Sequence, residues 1–218
     1  MSHVPVVVAH RGASAAFAEN TIAAFEGARA LGADWVELDV HRAADGSLVV
    51  HHDDRLADGR PIASLTAPEV PAEVPLLGAA LAACDGMGVN VEIKPHPDLE
   101  VVGPAIEAIR GWGGPVLVSS FDPQIVAHVR ELAPDVATAL LTLQLDDEVI
   151  ERCVTVGHAA VNPWDPAVDA AIVGRCHAAG LQVNVWTVDD PTRMAELAVM
   201  GADAVITNVP DVARATFD

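Results

Sequence analysis

The chain has 218 residues, 51% of them hydrophobic, and a formal net charge of −19 at pH 7. This length accommodates one large hydrophobic core, so we expect a single domain over residues 1–218. The negative charge argues against a nucleic-acid partner, because binding to a phosphate backbone needs lysine and arginine gathered on one face.

The sequence shows little sign of a membrane-spanning segment, a signal peptide or a disulfide framework. Glycine and proline interrupt the apolar runs well before the roughly 18 residues of a membrane span. The first residues contain no basic segment and too short an apolar run for a signal peptide, so we expect a cytoplasmic protein without stable membrane association. Three widely spaced cysteines, Cys84, Cys153 and Cys176, favour reduced packing residues over a disulfide framework or a zinc site.

The first part of the chain predicts a strand followed by a helix. An apolar run over residues 4–10 ends in polar residues, which is typical of a buried parallel strand that reaches a functional edge. Over residues 22–31 the apolar positions recur at helical spacing. Asn20 or Thr21 is expected to cap this helix, and Glu19 and Asn20 fit a place in the functional site equally well.

The next stretch, residues 35–54, carries alternating acids and then a hairpin signal. Glu37 and Asp39 point to one side of a strand, while the apolar residues between them point to the other. An Asp-Gly pair then separates two β-rich runs, and the returning strand brings His52 close to the outgoing one. Two carboxylates on one face form a cation site, and a titratable imidazole lies beside them.

Beyond the hairpin the chain alternates strands and helices. An irregular segment at about residues 53–75 is interpreted as a small insertion, and a short helix follows it. Strands are predicted at residues 89–94, 116–120, 137–143, 159–162, 182–188 and 204–208, with helices at 99–110, 124–132, 146–156, 166–179 and 191–200 and a last helix from Pro210. Eight strands outside the hairpin favour an α/β fold of the (β/α)8 TIM-barrel type, with the hairpin and insertion after strand 2.

Polar residues follow most of the predicted barrel strands, at the end where a TIM barrel places its active site. In chain order these ends carry His10-Arg11-Gly12, Glu37 with Asp39, Glu92 with Lys94, Ser119-Ser120-Phe121, Asn162-Pro163-Trp164, Trp186-Thr187 and Thr207-Asn208. The fifth barrel strand differs, because residues 140–143 end it in mainly apolar side chains. A barrel that served stability alone would not need charged residues at these ends.

Seven short motifs occur in a fixed order along the chain. They are HRG at residues 10–12, ENT at 19–21, ELD at 37–39, VHHD at 50–53, VEIK at 91–94, VWT at 185–187 and ITN at 206–208, followed by Pro210. Together they resemble the glycerophosphodiester phosphodiesterase family from about residue 4 to residue 211. The resemblance implies a TIM barrel that uses a divalent cation, usually Ca²⁺ or Mg²⁺, to hydrolyse glycerophosphodiesters to an alcohol and glycerol 3-phosphate.

The resemblance also implies a role for each matched residue. The implied metal ligands are Glu37, Asp39 and Glu92, the implied acid/base pair is His10 and His52, and the implied phosphate contacts are Arg11 and Lys94. Trp186, at a strand mouth, is expected to form a wall for the substrate. His51 precedes His52 directly, and the sequence leaves open which of the two imidazoles faces the site.

Elementary chemistry supports the same roles. Three carboxylates are hard oxygen ligands that suit Ca²⁺ or Mg²⁺, and cations can neutralise phosphate oxygens where charge grows in the transition state. Two imidazoles supply a base for the attacking hydroxyl and an acid for the leaving alkoxide.

Alternative interpretations stay open at this stage. Lys94 fits a barrel lyase that forms a Schiff base, and it also fits a structural ion pair with Glu92. A non-catalytic barrel that binds a phosphorylated ligand is the other alternative.

Overall fold

The computed structural model describes residues 4–96 and 98–218. Within these residues the strands are β1 (Val6–His10), β2 (Trp35–Arg42), β3 (Leu48–Val50), β4 (Gly88–Ile93), β5 (Val116–Ser120), β6 (Ala137–Thr142), β7 (Ala160–Pro163), β8 (Gln182–Val185) and β9 (Ala204–Thr207). The α-helices are α1 (Ile22–Ala30), α2 (Leu77–Ala83), α3 (Val102–Trp112), α4 (Pro123–Leu132), α5 (Asp147–Val156), α6 (Ala170–Ala178), α7 (Pro191–Met200) and α8 (Pro210–Phe217).

The sheet closes on itself as a barrel. Its order is β1-β9-β8-β7-β6-β5-β4-β2, and a further pairing of β1 with β2 completes the ring. All of these pairings are parallel, whereas β3 pairs antiparallel with β2 and places Val50 opposite Val40. The predicted (β/α)8 TIM barrel with a hairpin after its second strand is therefore confirmed.

The β2 strand shows why the acids face inward. Its apolar residues Val36, Leu38 and Val40 are buried in the cluster that α1, α2 and α3 cover. The alternate residues Glu37 and Asp39 are buried as well, and since successive side chains point to opposite faces they lie on the barrel side of the strand. The three cysteines are buried and unpaired, as predicted.

The segment after the hairpin has a small core of its own. It contains two short 3-10 helices, Ile62–Ser64 and Ala67–Glu69. Leu56, Ile62 and Leu65 pack against Val49 of the hairpin in a separate apolar cluster. This packing anchors the segment beside the strand end that leads into His52.

Helix α6 begins later than the sequence predicted. The prediction started it at Pro166, but a 3-10 turn, Asp165–Ala167, comes first and α6 itself starts at Ala170. Asp169 explains the difference, because its side chain accepts a hydrogen bond of 2.8 Å from the backbone N–H of Ile172 and so acts as the helix cap. Along the described residues no helix has the length and apolar character needed to cross a bilayer.

Gly12 lies where the loop after β1 touches helix α1. Its φ is +80°, and a Cβ at this position would lie 2.6 Å from the backbone carbonyl carbon of Ala24. Gly46, in the hairpin turn, has a similar φ of +86° but nothing within 4 Å of the corresponding point. The two glycines therefore share a backbone conformation and differ in the space around them.

Replacing Gly12 by alanine should lower the free energy of unfolding more than replacing Gly46 by alanine. A left-handed alanine costs about 1–2 kcal/mol at either position. Only Gly12→Ala adds a clash with the backbone of α1, which must shift to relieve it. Denaturant titration of both variants measures the difference, and equal losses of stability would contradict the close contact.

We expect His158 to make the stability of the barrel depend on pH. It is buried beside β7, with Nδ1 2.8 Å from Thr138 Oγ1. Burial, helped by the Arg130 charge, lowers the pKa of His158 to about 4. Since the ordinary histidine pKa near 6.5 applies to the unfolded chain, the unfolded state binds a proton first as the pH falls.

Stability should therefore decrease as the pH falls from about 6.5 towards 4, and His158→Gln should remove part of that decrease. The matched variant His128→Gln, at a partly exposed position of α4, should keep the wild-type profile. Urea denaturation at several pH values tests this. If the His158→Gln and wild-type profiles were parallel, the buried neutral imidazole would not be the cause.

Candidate active site

The predicted site residues gather at the carboxyl ends of the barrel strands. A cavity of about 70 Å³ lies there. Its lining includes His10, Arg11, Glu37, His52, Glu92, Lys94 and Trp186, together with Phe121 and Leu141. Asp39 lies just behind this surface, with its side chain 1% exposed. A second cavity, of about 180 Å³, occupies the opposite end of the barrel and is lined by Trp35 and Asn184 among others.

Three acids form a buried cluster beside this cavity. Glu37, Asp39 and Glu92 each offer one carboxylate oxygen, and these atoms lie within 4.8 Å of one another. Glu37 Oε1 is buried and has no hydrogen-bond partner. Three converging hard oxygen donors, one of them without a partner, fit a divalent cation such as Ca²⁺ or Mg²⁺.

Two cations neutralise part of this cluster. Lys94 Nζ lies 2.6 Å from Asp39 Oδ1 and 2.6 Å from Glu92 Oε1, so the ammonium bridges the two acids. Arg11 Nε lies 3.3 Å from Asp39 Oδ2, and its Nη1 contacts Glu19 Oε2 at 3.0 Å. The ion pair between Glu92 and Lys94 that the sequence left open is thus present, and it includes Asp39.

The acids differ in how readily they ionise. Burial, with the nearby charges of Asp39 and Glu92, raises the pKa of Glu37 well above its usual value. Burial also raises the pKa of Glu92 to about 7, although the Lys94 charge opposes the change. For Asp39, burial favours the neutral acid, but the charge and hydrogen bond of Lys94 and the hydrogen bond from Asn20 outweigh it and lower the pKa. Without a bound cation these shifts favour a protonated Glu37 beside an ionised Asp39, and a divalent cation would displace that proton.

The loop between β1 and α1 holds two of the acids through its backbone and an amide. Arg11 has a φ of +57°, and its backbone N–H donates to Glu37 Oε2 at 2.9 Å. Asn20, with a φ of +56°, donates from Nδ2 to Asp39 Oδ2 at 2.7 Å. The cap of α1 is Thr21, whose hydroxyl accepts from the Ala24 N–H. Asn20 therefore contacts the site, and Thr21 caps the helix.

His10 is held in one tautomer by a chain of hydrogen bonds. Asp189 Oδ2 accepts from Asn208 Nδ2 at 2.7 Å, which turns Asn208 Oδ1 towards His10 Nδ1 at 2.8 Å. Because a carboxylate only accepts, His10 must donate from Nδ1 and keep a lone pair on Nε2. Nε2 lies 4.0 Å from Glu37 Oε2, beside the acid cluster. Burial, reinforced by the Arg11 charge, lowers the pKa of His10 and favours the neutral ring.

Asp189 was not predicted from the sequence. It lies after β8, outside every motif quoted above, and bonds the backbone N–H of Asn208 as well as its side chain. The strand-end position of Asn208 was the only signal that pointed towards this pair. Asp189 and Asn208 lie in loops that follow different strands, so no local pattern in the sequence indicates that they touch.

Of the two adjacent imidazoles on the hairpin side, His52 lines the cavity. Its Nδ1 lies 2.7 Å from Asp53 Oδ1, so the Nδ1–H donates to this carboxylate and the lone pair is on Nε2. His51 Nδ1 lies 2.9 Å from the Asp53 backbone carbonyl instead. The residue at the cavity is therefore His52, which the resemblance implied for the acid/base pair, and not its neighbour His51.

Aromatic rings form another wall. Trp186 donates from Nε1 to the Asn162 backbone carbonyl at 2.8 Å, which fixes the indole at the cavity. Phe121 packs edge-on against Trp186 with ring centroids 5.5 Å apart. Trp186 therefore lies where a substrate wall was expected.

Comparison with known proteins agrees with this geometry. Residues 10–212 match the family model described as the glycerophosphoryl diester phosphodiesterase family. The chain belongs to this family. Membership makes it a phosphoric diester hydrolase, and the motif resemblance found in the sequence is confirmed.

Individual members of the family cover nearly the whole chain. A glycerophosphodiester phosphodiesterase of Caldanaerobacter subterraneus is 31% identical over 232 residues, spanning 94% of this chain and 95% of its own. The structure of an Oleispira antarctica phosphodiesterase in complex with the product sn-glycerol-3-phosphate has a TM-score of 0.93 at 28% identity, covering 98% of this chain and 96% of that one. A Parabacteroides distasonis glycerophosphodiester phosphodiesterase has a TM-score of 0.90 at 25% identity, covering 100% and 98%.

The surroundings of Lys94 disfavour the Schiff-base alternative. Burial would lower the pKa of Lys94, but the charges and hydrogen bonds of Asp39 and Glu92 outweigh it and raise the pKa. A lysine that attacks a carbonyl must be a neutral amine, which a site of this kind opposes. In this member of the phosphodiesterase family Lys94 is therefore suited to act as a fixed positive charge.

Addition of Ca²⁺ or Mg²⁺ should raise the melting temperature of the chelator-treated protein. A ligand at about 100 times its Kd adds about 2.7 kcal/mol of stability, which is roughly 5–10 °C for a chain of this size. Glu37→Gln keeps the shape of the side chain but removes a charged ligand, and should abolish the shift. Glu107→Gln, at an exposed position of α3, is the matched control and should retain it. An equal shift in both variants would mean that the cation binds elsewhere.

Proposed function

We propose that this chain hydrolyses glycerophosphodiesters to an alcohol and glycerol 3-phosphate, with residues 1–218 acting as one catalytic domain. The observation that carries the proposal is the convergence of a buried carboxylate cluster and two imidazoles at one cavity. The Oleispira antarctica relative, in complex with sn-glycerol-3-phosphate, supports the choice of product. A cytoplasmic location and a lack of nucleic-acid partners stay predictions from the sequence.

Glu37, Asp39 and Glu92 would hold the divalent cation. When bound, a hard cation supplies positive charge to a phosphate oxygen, which is where charge grows during attack on the diester. Oxygen-only ligands favour Ca²⁺ or Mg²⁺ over softer metals. Both the metal requirement and the ligand set belong to this proposal.

His10 is the proposed general base. Its Nδ1–H is committed to Asn208, so Nε2 takes the proton from the attacking hydroxyl as the new P–O bond forms. His52 is the proposed partner, because Asp53 orients its ring and a protonated Nε2 can donate to the departing alkoxide as the second P–O bond breaks. Water and the glycerol hydroxyl of the substrate are both compatible with this arrangement as the attacker.

Arg11 and Lys94 are the proposed phosphate contacts. Both line the cavity, and both are now paired with acids. Lys94 would exchange a carboxylate partner for a phosphate oxygen when those carboxylates hold the cation. The backbone N–H of Arg11 bonds Glu37, which keeps this residue at the cavity edge. Its guanidinium would likewise exchange an acid partner for a phosphate oxygen. Trp186 would form the wall of the substrate site that faces these two cations.

Glycerophosphocholine with Ca²⁺ or Mg²⁺ should be converted to glycerol 3-phosphate, and His10→Ala or His52→Ala should lower kcat by about 10²–10⁴. His51→Ala is the matched control, because its ring does not line the cavity, and should keep most of the turnover. Enzymatic detection of glycerol 3-phosphate measures the rates, and melting curves verify that each variant folds. A loss in His51→Ala as large as that in His52→Ala would overturn the assignment.

A further inference from the structure

The apolar end of the fifth barrel strand forms a groove beside the active-site cavity. The groove has a volume of about 390 Å³ and runs over the ends of β5 and β6. Its apolar lining includes Phe121, Pro123, Leu140, Leu141, Leu143 and Val149. Phe121 and Leu141 line the active-site cavity as well, so the groove adjoins that cavity at these two side chains.

The groove presents apolar surface to solvent. Leu143 is 58% exposed and Phe121 is 38% exposed. Its ionisable lining groups already serve helix α5: Asp146 Oδ1 accepts from the Val149 N–H at 3.0 Å, and Arg152 pairs with Glu148 at 3.2 Å. The groove is therefore suited to a hydrocarbon chain rather than to a charged head group.

The other side of the cavity is polar. His52, Arg11 and Lys94 lie there, with Asp53 and Glu19 behind them. A phosphodiester carries two alcohols on its central phosphate. The glycerol moiety needs hydrogen-bond partners for its hydroxyls, which the polar side offers, so the second alcohol is directed towards the groove.

We propose that this groove is the subsite for the leaving alcohol and that it selects glycerophosphodiesters with an apolar, alkyl-bearing alcohol. This inference rests on the hydrolysis proposed above. The attacking hydroxyl forms a P–O bond and gives its proton to His10. The P–O bond to the alkyl alcohol breaks, and its oxygen leaves with a proton from His52. The alkyl chain stays in the groove throughout and gains binding energy from burial.

A homologous substrate series tests the groove. Glycerophosphoethanol, glycerophosphobutanol, glycerophosphohexanol and glycerophospho-octanol differ only in the length of the alkyl chain, and each is used below its micelle concentration. We expect kcat/KM to rise about two- to fourfold per methylene until the groove is filled. The rise should come from KM, because the chain is buried equally in the ground state and the transition state.

Two matched substitutions locate the effect. Leu143→Ser should reduce the dependence of KM on chain length, because it removes apolar surface from the groove. Leu132→Ser, at the last residue of α4 and so towards the opposite end of the barrel, replaces a leucine of similar exposure and should keep the wild-type dependence. A flat series in the wild type, or an unchanged slope in Leu143→Ser, would overturn the subsite.

A binding measurement separates this inference from the proposed function. Calorimetric titration with octyl phosphate and ethyl phosphate needs no turnover, and the octyl compound should bind more tightly to the wild type than to Leu143→Ser. Tighter octyl binding without hydrolysis of any diester would support the apolar subsite and refute the proposed function. Hydrolysis of short diesters with equal binding of both phosphates would refute the subsite alone.

Discussion

The burial of three carboxylates at one end of the barrel is the constraint on which the rest of the site depends. Closure of the ring sets their positions, because the strand register places Asp39 beside Glu92 and His10 beside Glu37. Like charges taken out of water in this way are strongly unfavourable unless cations or hydrogen bonds compensate them. Lys94 bridges two of the acids, and Arg11 reaches Asp39 from the adjacent loop. These three acids are the ligands proposed for the divalent cation.

Several of the loops that follow the strands contact the residues of this site. Left-handed residues at Arg11 and Asn20 aim a backbone N–H and a side-chain amide at the acids. Asn208 orients His10 from the last strand, 198 residues away in sequence. His52 follows the returning strand of the hairpin, and a separate apolar cluster packs against that strand. These contacts orient the proposed acid/base pair before substrate arrives.

Much of this arrangement could be predicted from the sequence because it follows from local patterns. The alternation of apolar and acidic residues around Glu37 gave the face of β2, and the repeated strands and helices gave the barrel. What could not be predicted depends on ring closure or on loop contacts. The double pairing of Lys94 is one such feature, and the contact of Asp189 with Asn208 is another, because both join segments that no local periodicity relates. The late start of α6 has a simpler cause, since Asp169 competes with Pro166 as the start signal and wins through its cap hydrogen bond.

A crystal structure of the protein grown with Ca²⁺ tests most directly whether the three acids share one ion. We expect a single ion with one oxygen each from Glu37, Asp39 and Glu92 at about 2.3–2.6 Å, and with Lys94 Nζ withdrawn from at least one of its two carboxylate partners. An ion bound away from these acids, or a Lys94 ammonium that still bridges Asp39 and Glu92 at saturating Ca²⁺, would contradict the proposed metal site.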